Sequence, residues 1–595
     1  MSFPPSDVAV AAPEQPRLSL ARLWRSVALT RAASLLAFAG IAVFILLTFR
    51  DYGISNDEPV QHTYGQLLLN WYASGFSDES AFHYINLYLY GGLFDLIAAG
   101  FQPYVPLPLY EWRHLLSAGF GFVGLIGVWR LGTLLGGEKA GILAVLMLAV
   151  TGMYGGAMFT HTKDVPFAAA MLWSLYCVAA LAARLPERPS WRLVVGLGLS
   201  VGCALGLRVG GVFAVFYLLV TLAAGTLLLR DLWLPVRLLP RLMVAGLIAL
   251  AVMAAAWPWS VLPPSNFLKA MGAFNNFAFD LKTLINGEAL PIDRLPPTYM
   301  SEYLLIKLPE ITLLGLVAAL AMVGLSLVRL LRELRRDGVA SLLAHHPRRL
   351  LALLPVLLAV AVPVVFTLLD NPPLYNGIRH FLFVLPPVTV LAALGLMAAG
   401  RALMAVSPLP ATAFAGIAVA VFGINADTFA RLHPYQYVAY NQLVGGTAGA
   451  WGRFEGDYWG ASLREASLTL LHGLQQEAAL APGRAPLHYK VAVCAEDVQV
   501  STHLGPEFEM VEDWDDADFV LSARNVGCDN VPGLTYATVS RMGIPMASVF
   551  DVRGQHPPIE LPVQIPDEDG WGLDFNAPAV SLQEATGPLV AKARP

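Results

Sequence analysis

Charge is scarce in this chain. Asp, Glu, Lys and Arg make up only 14% of its 595 residues, where a soluble globular chain carries about 25%. That excludes a water-facing surface over most of a chain this long. Long basic runs are absent and net charge is only −5, which argues against nucleic acid as a partner. Four cysteines are too few for a disulfide scaffold. Cys177 and Cys203 sit in apolar blocks and read as packing residues, whereas Cys494 and Cys528 lie in a polar C-terminal stretch and can pair if that stretch is outside the cytoplasm. No cleavable signal peptide is evident, because the first apolar block ends in Arg50-Asp51 rather than in small residues; it reads as an uncleaved first span. No internal repeat is visible.

What the chain has in quantity is apolar sequence: 56% hydrophobic residues and a mean hydropathy of +0.58, gathered in long blocks. A helix needs about 20 residues to cross the hydrocarbon layer. Blocks suited to that run 32–49, 115–135, 140–159, 165–183, 193–207, 209–229, 242–262, 311–328, 350–369, 381–400 and 409–426. The stretch 193–229 is divided at Arg208-Val209-Gly210-Gly211, a natural turn. The expected fold is therefore mainly α, a polytopic membrane protein with about 11 transmembrane helices and a small C-terminal α/β domain. Basic residues set orientation. Arg17, Arg22, Arg25 and Arg31 precede the first span. By alternation Arg130, Lys139, Arg184, Arg188, Arg192, Arg230, Arg237, Arg241, the cluster from Arg329 to Arg349, and Arg401 fall on the same side. This makes residues 1–31 cytoplasmic, 32–427 the membrane domain, and 428–595 periplasmic or extracellular, in a bacterial inner membrane. Two outer loops, 50–114 and 263–310, are long; the second is aromatic and polar (Phe274, Asn276, Phe277, Asp280, Tyr299, Tyr303) and suits a lid. Beyond 428 the pattern predicts a helix near 461–477 and strands near 488–494, 517–523 and 534–540, an α/β unit over 461–551, with an extended end.

Polar residues cluster at the outer ends of spans. Ser55-Asn56-Asp57-Glu58-Pro59, followed by His62, places two carboxylates just beyond the first span. Either they act as or orient a general base, or Asp57 simply caps the next helix with Pro59 near its start; the two are compatible. Thr160-His161-Thr162-Lys163-Asp164 forms a tight outer turn, and ionisable residues at that depth are costly unless solvated or paired. Lys163 neutralising Asp164 is the bland reading, and a second acid facing Asp57 the functional one. Arg208 is either an interfacial snorkelling residue or a ligand-binding one. Arg379, in Tyr375-Asn376-Gly377-Ile378-Arg379-His380, runs against the charge bias and suits a phosphate through its planar fork.

These elements, in this order, resemble the GT-C membrane glycosyltransferases, in the branch of protein O-mannosyltransferases and aminoarabinose transferases. The resemblance rests on Asp57-Glu58, on Lys163-Asp164-Val165-Pro166, and on Arg379-His380-Phe381 running into Pro386-Pro387. His433-Pro434-Tyr435-Gln436-Tyr437 through Asn441, Gly445-Gly446 and Asp457-Tyr458-Trp459-Gly460 add to it, over roughly residues 30–465. The C-terminal domain does not look like a β-trefoil, which leaves a protein acceptor open. The resemblance implies transfer of a sugar from a polyprenyl-phosphate donor to an acceptor hydroxyl outside the membrane, with inversion and no cofactor. Asp57 is then the expected base, with Glu58 and Asp164 assisting. Arg379, Lys163, Arg208 and His62 are expected to bind the donor phosphate, with His161, His380 and Tyr375 in the substrate pocket. No metal site is assigned, although Asp57, Glu58, His161 and Asp164 are a set that can hold a divalent ion if they converge. Asp57, Asp164 and Arg379 are expected to line one cavity. The competing classes are a transporter or flippase of an envelope lipid or glycan, which would place its site near the midplane, and a non-catalytic envelope scaffold.

Overall fold

The computed structural model describes residues 20–275, 281–337, 347–480, 488–523, 531 and 533–553. Arg17, Asn276, Phe277, Asp280, Cys528 and the chain beyond residue 553 lie outside them. Each of the eleven apolar blocks contains helix. Nine helices among the described residues are long and apolar enough to cross a membrane, and the chain is a multi-pass membrane protein.

The first half runs α1 (Leu20–Thr48), α2 (Glu58–Ala73), α3 (Leu93–Phe101), α4 (Leu109–Gly136), α5 (Glu138–Ala149), α6 (Asp164–Ala182), α7 (Trp191–Leu205), α8 (Val212–Leu228) and α9 (Leu234–Ala256). After α10 (Ser265–Asn275) comes a hairpin of β1 (Lys282–Ile285) and β2 (Glu288–Pro291), then α11 (Tyr299–Lys307), α12 (Glu310–Asp337), α13 (Pro347–Asp370), α14 (Leu385–Val406) and α15 (Pro408–Arg431). Helix α6 is the hub: 89% of its apolar window is buried, where α1 and α15 bury only 11% each and turn their apolar faces outward. Small residues allow close crossings. A Cβ on Gly395 of α14 would sit 2.3 Å from the Gly315 carbonyl oxygen of α12.

Two of the expected eleven spans are short. Helix α5 has 12 residues and α7 has 15, about 18 and 22 Å at 1.5 Å per residue. The sequence overstated α5 because apolar character continues through Gly152–Gly156, where the backbone leaves the α-helix for a π-helical turn. Contacts at both ends show what these segments cover. Arg31 of α1 meets Glu138 at 3.2 Å, while Tyr52, just past α1, stacks on Phe159 at 3.9 Å. Residues 138–159 thus run the length of α1. Likewise Trp191 lies under Arg241 of α9, and Gly206 and Ala256 accept from the successive amides of Leu93 and Gly92, each at 3.0 Å.

The loops are less open than expected. In loop 263–310 the hairpin turns at Asn286-Gly287, both at positive φ, the signature of a two-residue hairpin turn. Glu455 fastens it by accepting from Leu284 N at 2.8 Å and Thr283 Oγ1 at 2.5 Å. The described part of this loop is docked rather than hanging as a lid. After the short α16 (Gly446–Ala450), α17 (Leu463–Leu480) packs on a five-stranded sheet in the order β4 (Phe508–Met510), β3 (Tyr489–Val493), β5 (Phe519–Ala523), β7 (Ile544–Asp551), β6 (Leu534–Arg541). The first three strands are parallel and the last two join antiparallel. Cys494 is disulfide-bonded, and Cys177 and Cys203 are free. The small helix α18 (Val498–Ser501) faces the membrane domain: Gln499 Nε2 donates to Ile54 O at 2.5 Å and Trp459 O at 2.9 Å.

Candidate active site

The C-terminal end of α1 and the N-terminal ends of α6, α8 and α14 bring the polar residues together. Asp57 occupies the N-cap position of α2, but its side chain makes no capping bond. Its carboxylate instead meets Arg379 Nη1 at 3.4 Å, across 322 residues of sequence. Arg379 does not snorkel. Its side chain is 3% exposed, and its guanidinium carbon lies 4.4 Å from the Tyr375 ring and 4.5 Å from the Trp459 ring. Nε of Arg379 is buried without a hydrogen-bond partner. Asn376 and Gly377, both at positive φ, make the turn that delivers Arg379 here.

Asp164 is not neutralised by Lys163. It pairs with Arg208, whose side chain is only 9% exposed and whose Nε also lacks a partner. Lys163 Nζ sits 4.8 Å over the Tyr90 ring, and the Arg208 guanidinium carbon 6.0 Å from the same ring. Burial pushes the Lys163 pKa down, against the pull of Asp57 and Asp95. Tyr90 can reach this position because Gly91 follows it: a Cβ there would lie 2.1 Å from Gly206 O.

His161 is fixed by its neighbours. Trp459 Nε1 donates to His161 Nε2 at 3.0 Å and Tyr458 OH lies 2.7 Å from the same nitrogen. An indole N–H is only a donor, so Nε2 accepts and Nδ1 carries the proton, facing Thr160 Oγ1 at 3.2 Å. Burial drives its pKa well down, consistent with a neutral ring that positions Trp459 against Arg379.

Two expected site residues lie elsewhere. Glu58 points into a buried network. It accepts from Ser55 N at 2.8 Å and meets His114 at 3.2 Å and Arg113 at 3.8 Å; Arg113 in turn pairs with Asp95 at 2.9 Å. All four ionisable side chains are 0–2% exposed. His62 lies on the same side, and burial with the Arg113 charge lowers its pKa to about 4. It is neutral near pH 7 and supplies no positive charge to a phosphate. Among the described residues no group of three or more His, Cys, Asp or Glu side chains forms a metal-ligand set.

A cavity of about 340 Å³ adjoins these pairs, lined by Phe213, Phe366 and Phe383 and ending on Arg208, Tyr375 and His380. Asp57, Asp164 and Arg379 are not in its wall, contrary to the sequence expectation; Tyr375 and Arg208, which touch them, are. Nδ1 of His380 is buried without a partner. Sequence reasoning passed over Tyr90 and assigned Trp459 no role of its own, yet both rings carry cations of the site. Nor did it foresee Gln499, which holds the Asp57 loop from the C-terminal domain.

No family model and no curated protein matches the chain. Among solved structures it is similar to ArnT from Cupriavidus metallidurans bound to undecaprenyl phosphate, at 15% identity over 88% of this chain and 97% of that one, with a TM-score of 0.43. It is also similar to the archaeal oligosaccharyltransferase AglB from Archaeoglobus fulgidus in complex with an inhibitory peptide and a dolichol-phosphate, at 12% identity over 83% and 69% of the two chains, with a TM-score of 0.42. Both likenesses are distant, and nothing about this chain's substrate follows from them.

Proposed function

We propose that this protein is a GT-C-type membrane glycosyltransferase that moves one sugar from a polyprenyl-phosphate donor to an acceptor hydroxyl at the outer face, with inversion. One observation carries the reading. An apolar cavity, large enough for a ligand, ends on Arg208, Tyr375 and His380, with the Asp57–Arg379 pair immediately behind the Tyr375 ring. An isoprenoid chain suits the phenylalanine wall, and a phosphate suits the free Nε donors of Arg208 and Arg379.

The step balances with these residues alone. The acceptor oxygen bonds to the anomeric carbon as its proton passes to Asp57, and the bond from that carbon to the phosphate oxygen breaks. Lipid phosphate leaves as an anion and needs no acid; the guanidinium groups hold its charge. Before donor arrives, Arg379 is spent on Asp57. A phosphate that draws Arg379 toward itself frees the carboxylate to accept a proton. Asp164 keeps Arg208 oriented, and Lys163 adds positive charge over Tyr90. No metal or cofactor is assigned a step.

The orientation belongs to this reading: residues 1–31 in the cytoplasm, eleven crossings of a bacterial inner membrane counting the two short helices, and the region after 428 outside. The disulfide of Cys494 supports an oxidising side for that region.

The test is incubation of purified protein with a panel of radiolabelled polyprenyl-phosphate sugars and membrane extract. Label is expected to move to an acceptor, and Asp57→Asn is expected to slow transfer by about 10²–10⁴-fold, the range for loss of a general base. Full turnover in that variant removes Asp57 from the mechanism.

A further inference from the structure

A second cavity, about 240 Å³, shares no lining residue with the first and lies at the N-terminal end of α12 and the C-terminal end of α15. Its only charged lining residues are Lys307 and Glu310. Lys307 is 4% exposed. Its Nζ donates to Tyr437 O at 3.0 Å and lies 3.5 Å from the Tyr440 ring centroid. An ammonium has three donors, so one carbonyl and one aromatic face leave it short of negative charge. Burial pushes its pKa well down, opposed only by Glu455, whose own carboxyl is raised by burial. An anionic oxygen in the cavity would complete the site.

Glu310 accepts from Gln442 N at 2.8 Å and from the Asn425 amide, and each carboxylate oxygen still has a lone pair free. The wall therefore offers one amine, which an anionic ligand would hold in its ammonium form, and one carboxylate, with Asn425 and Asn441 in the same lining. Its rim is apolar and exposed. Ile424, a lining residue, is 59% exposed and nearby Leu443 is 62% exposed, and α15 buries only 11% of its apolar window. A soluble ion has no use for such a rim, and a singly charged headgroup leaves one wall charge unmatched.

We propose that this cavity binds the headgroup of a zwitterionic phospholipid, with its phosphate on Lys307 and its ammonium on Glu310, and its acyl chains running down α15. The site is independent of the sugar-transfer reading. Its position suggests what it does: Tyr437, whose carbonyl holds Lys307, places its ring 5.3 Å from the His161 ring. A bound headgroup thus stiffens the tract behind Trp459.

Native mass spectrometry of the full-length protein, titrated with phosphatidylethanolamine, phosphatidylglycerol and a polyprenyl phosphate, tests this. One phosphatidylethanolamine is expected to be retained about tenfold over phosphatidylglycerol, with Lys307→Met lowering its occupancy by about tenfold or more, as for loss of a charged hydrogen bond. Ala448→Trp, at an exposed lining position, is expected to do the same by filling the space, and it decides the matter if Lys307→Met does not fold. Polyprenyl phosphate retention is expected to be unchanged in Ala448→Trp. Equal retention of the two phospholipids overturns the proposal, as does unchanged occupancy in the variants. So does glycerophosphoethanolamine competing as well as the intact lipid, or loss of both ligands together in Ala448→Trp.

Discussion

A helix turns about 100° per residue, so the adjacent carboxylates of Asp57 and Glu58 leave the start of α2 in different directions. Asp57 reaches Arg379 with 24% of its side chain exposed, open to an acceptor. Glu58 is fully buried against Arg113 and His114. The two substitutions should therefore separate. Glu58→Gln is expected to lower the thermal midpoint while transfer persists at temperatures where the variant is folded. Asp57→Asn, at a partly exposed carboxylate, should lower the midpoint less than Glu58→Gln and slow transfer by about 10²–10⁴-fold. Equal loss of activity at an unchanged midpoint in both would return Glu58 to the reacting centre. Arg208→Ala is a harsher change, because it strands Asp164 at 3% exposure. Removing one member of a buried pair costs about 3–5 kcal/mol, read as a fall in stability, and Asp164→Asn on the same background should recover part of it. The charged residues were legible because charge at a membrane boundary demands a partner. Which partner was not: Asp164 chose Arg208 over its neighbour Lys163, a matter of reach and helix direction. Tyr90 and Trp459 gave no signal, since an aromatic that carries a cation looks in sequence like any core aromatic.

Hydropathy located the nine long apolar helices among the described residues, but it set α9 (Leu234–Ala256) too far along the chain and misjudged the end of α5, whose apolar run outlasts its α-helical backbone. The hairpin at Asn286-Gly287 carried its turn signature openly in a loop read for its aromatics. In the C-terminal domain three strands were legible by alternation. Strand β4, three residues long, is too short for any periodicity, and β7, buried along most of its length, does not alternate. The docking of this domain was invisible, because Gln499 and Glu496 are ordinary polar residues until the fold carries them to the Asp57 loop. Burial, with Asp497 and Asp57, raises the Glu496 carboxyl to about 7, and Tyr84 and Tyr110 feel its charge. A carboxyl raised in the docked state favours docking most below its ordinary range, and that contribution is lost as pH rises through about 7. Hydrogen exchange at the Ile54 and Trp459 segments is thus expected to be faster at pH 8 than at pH 6 after correction for intrinsic rates. Glu496→Gln should remove the difference. An unchanged pH dependence in that variant would detach Glu496 from the docking.

At the scale of the whole molecule, the proposed reaction requires the site to face the outside. In the proposed orientation residues 138–159, which match the length of α1, and α7, which runs level with α9, both count as crossings, and the tract after residue 428 lies opposite the arginine-rich loops. A membrane-impermeant thiol reagent on intact cells is expected to label Asp515→Cys and to spare Arg401→Cys, both at exposed positions. The reverse pattern would turn the site toward the cytosol and end the proposed reaction.

The central claim is that an isoprenoid phosphate and the Asp57–Arg379 pair meet at one place, and a structure of the full-length protein with polyprenyl phosphate bound tests it most directly. The account predicts the lipid between Phe213, Phe366 and Phe383, with phosphate oxygens within about 3 Å of the Arg208 or Arg379 guanidinium and Asp57 released from Arg379. Phosphate density on another face of the helix bundle, with the Asp57–Arg379 contact intact, would contradict it.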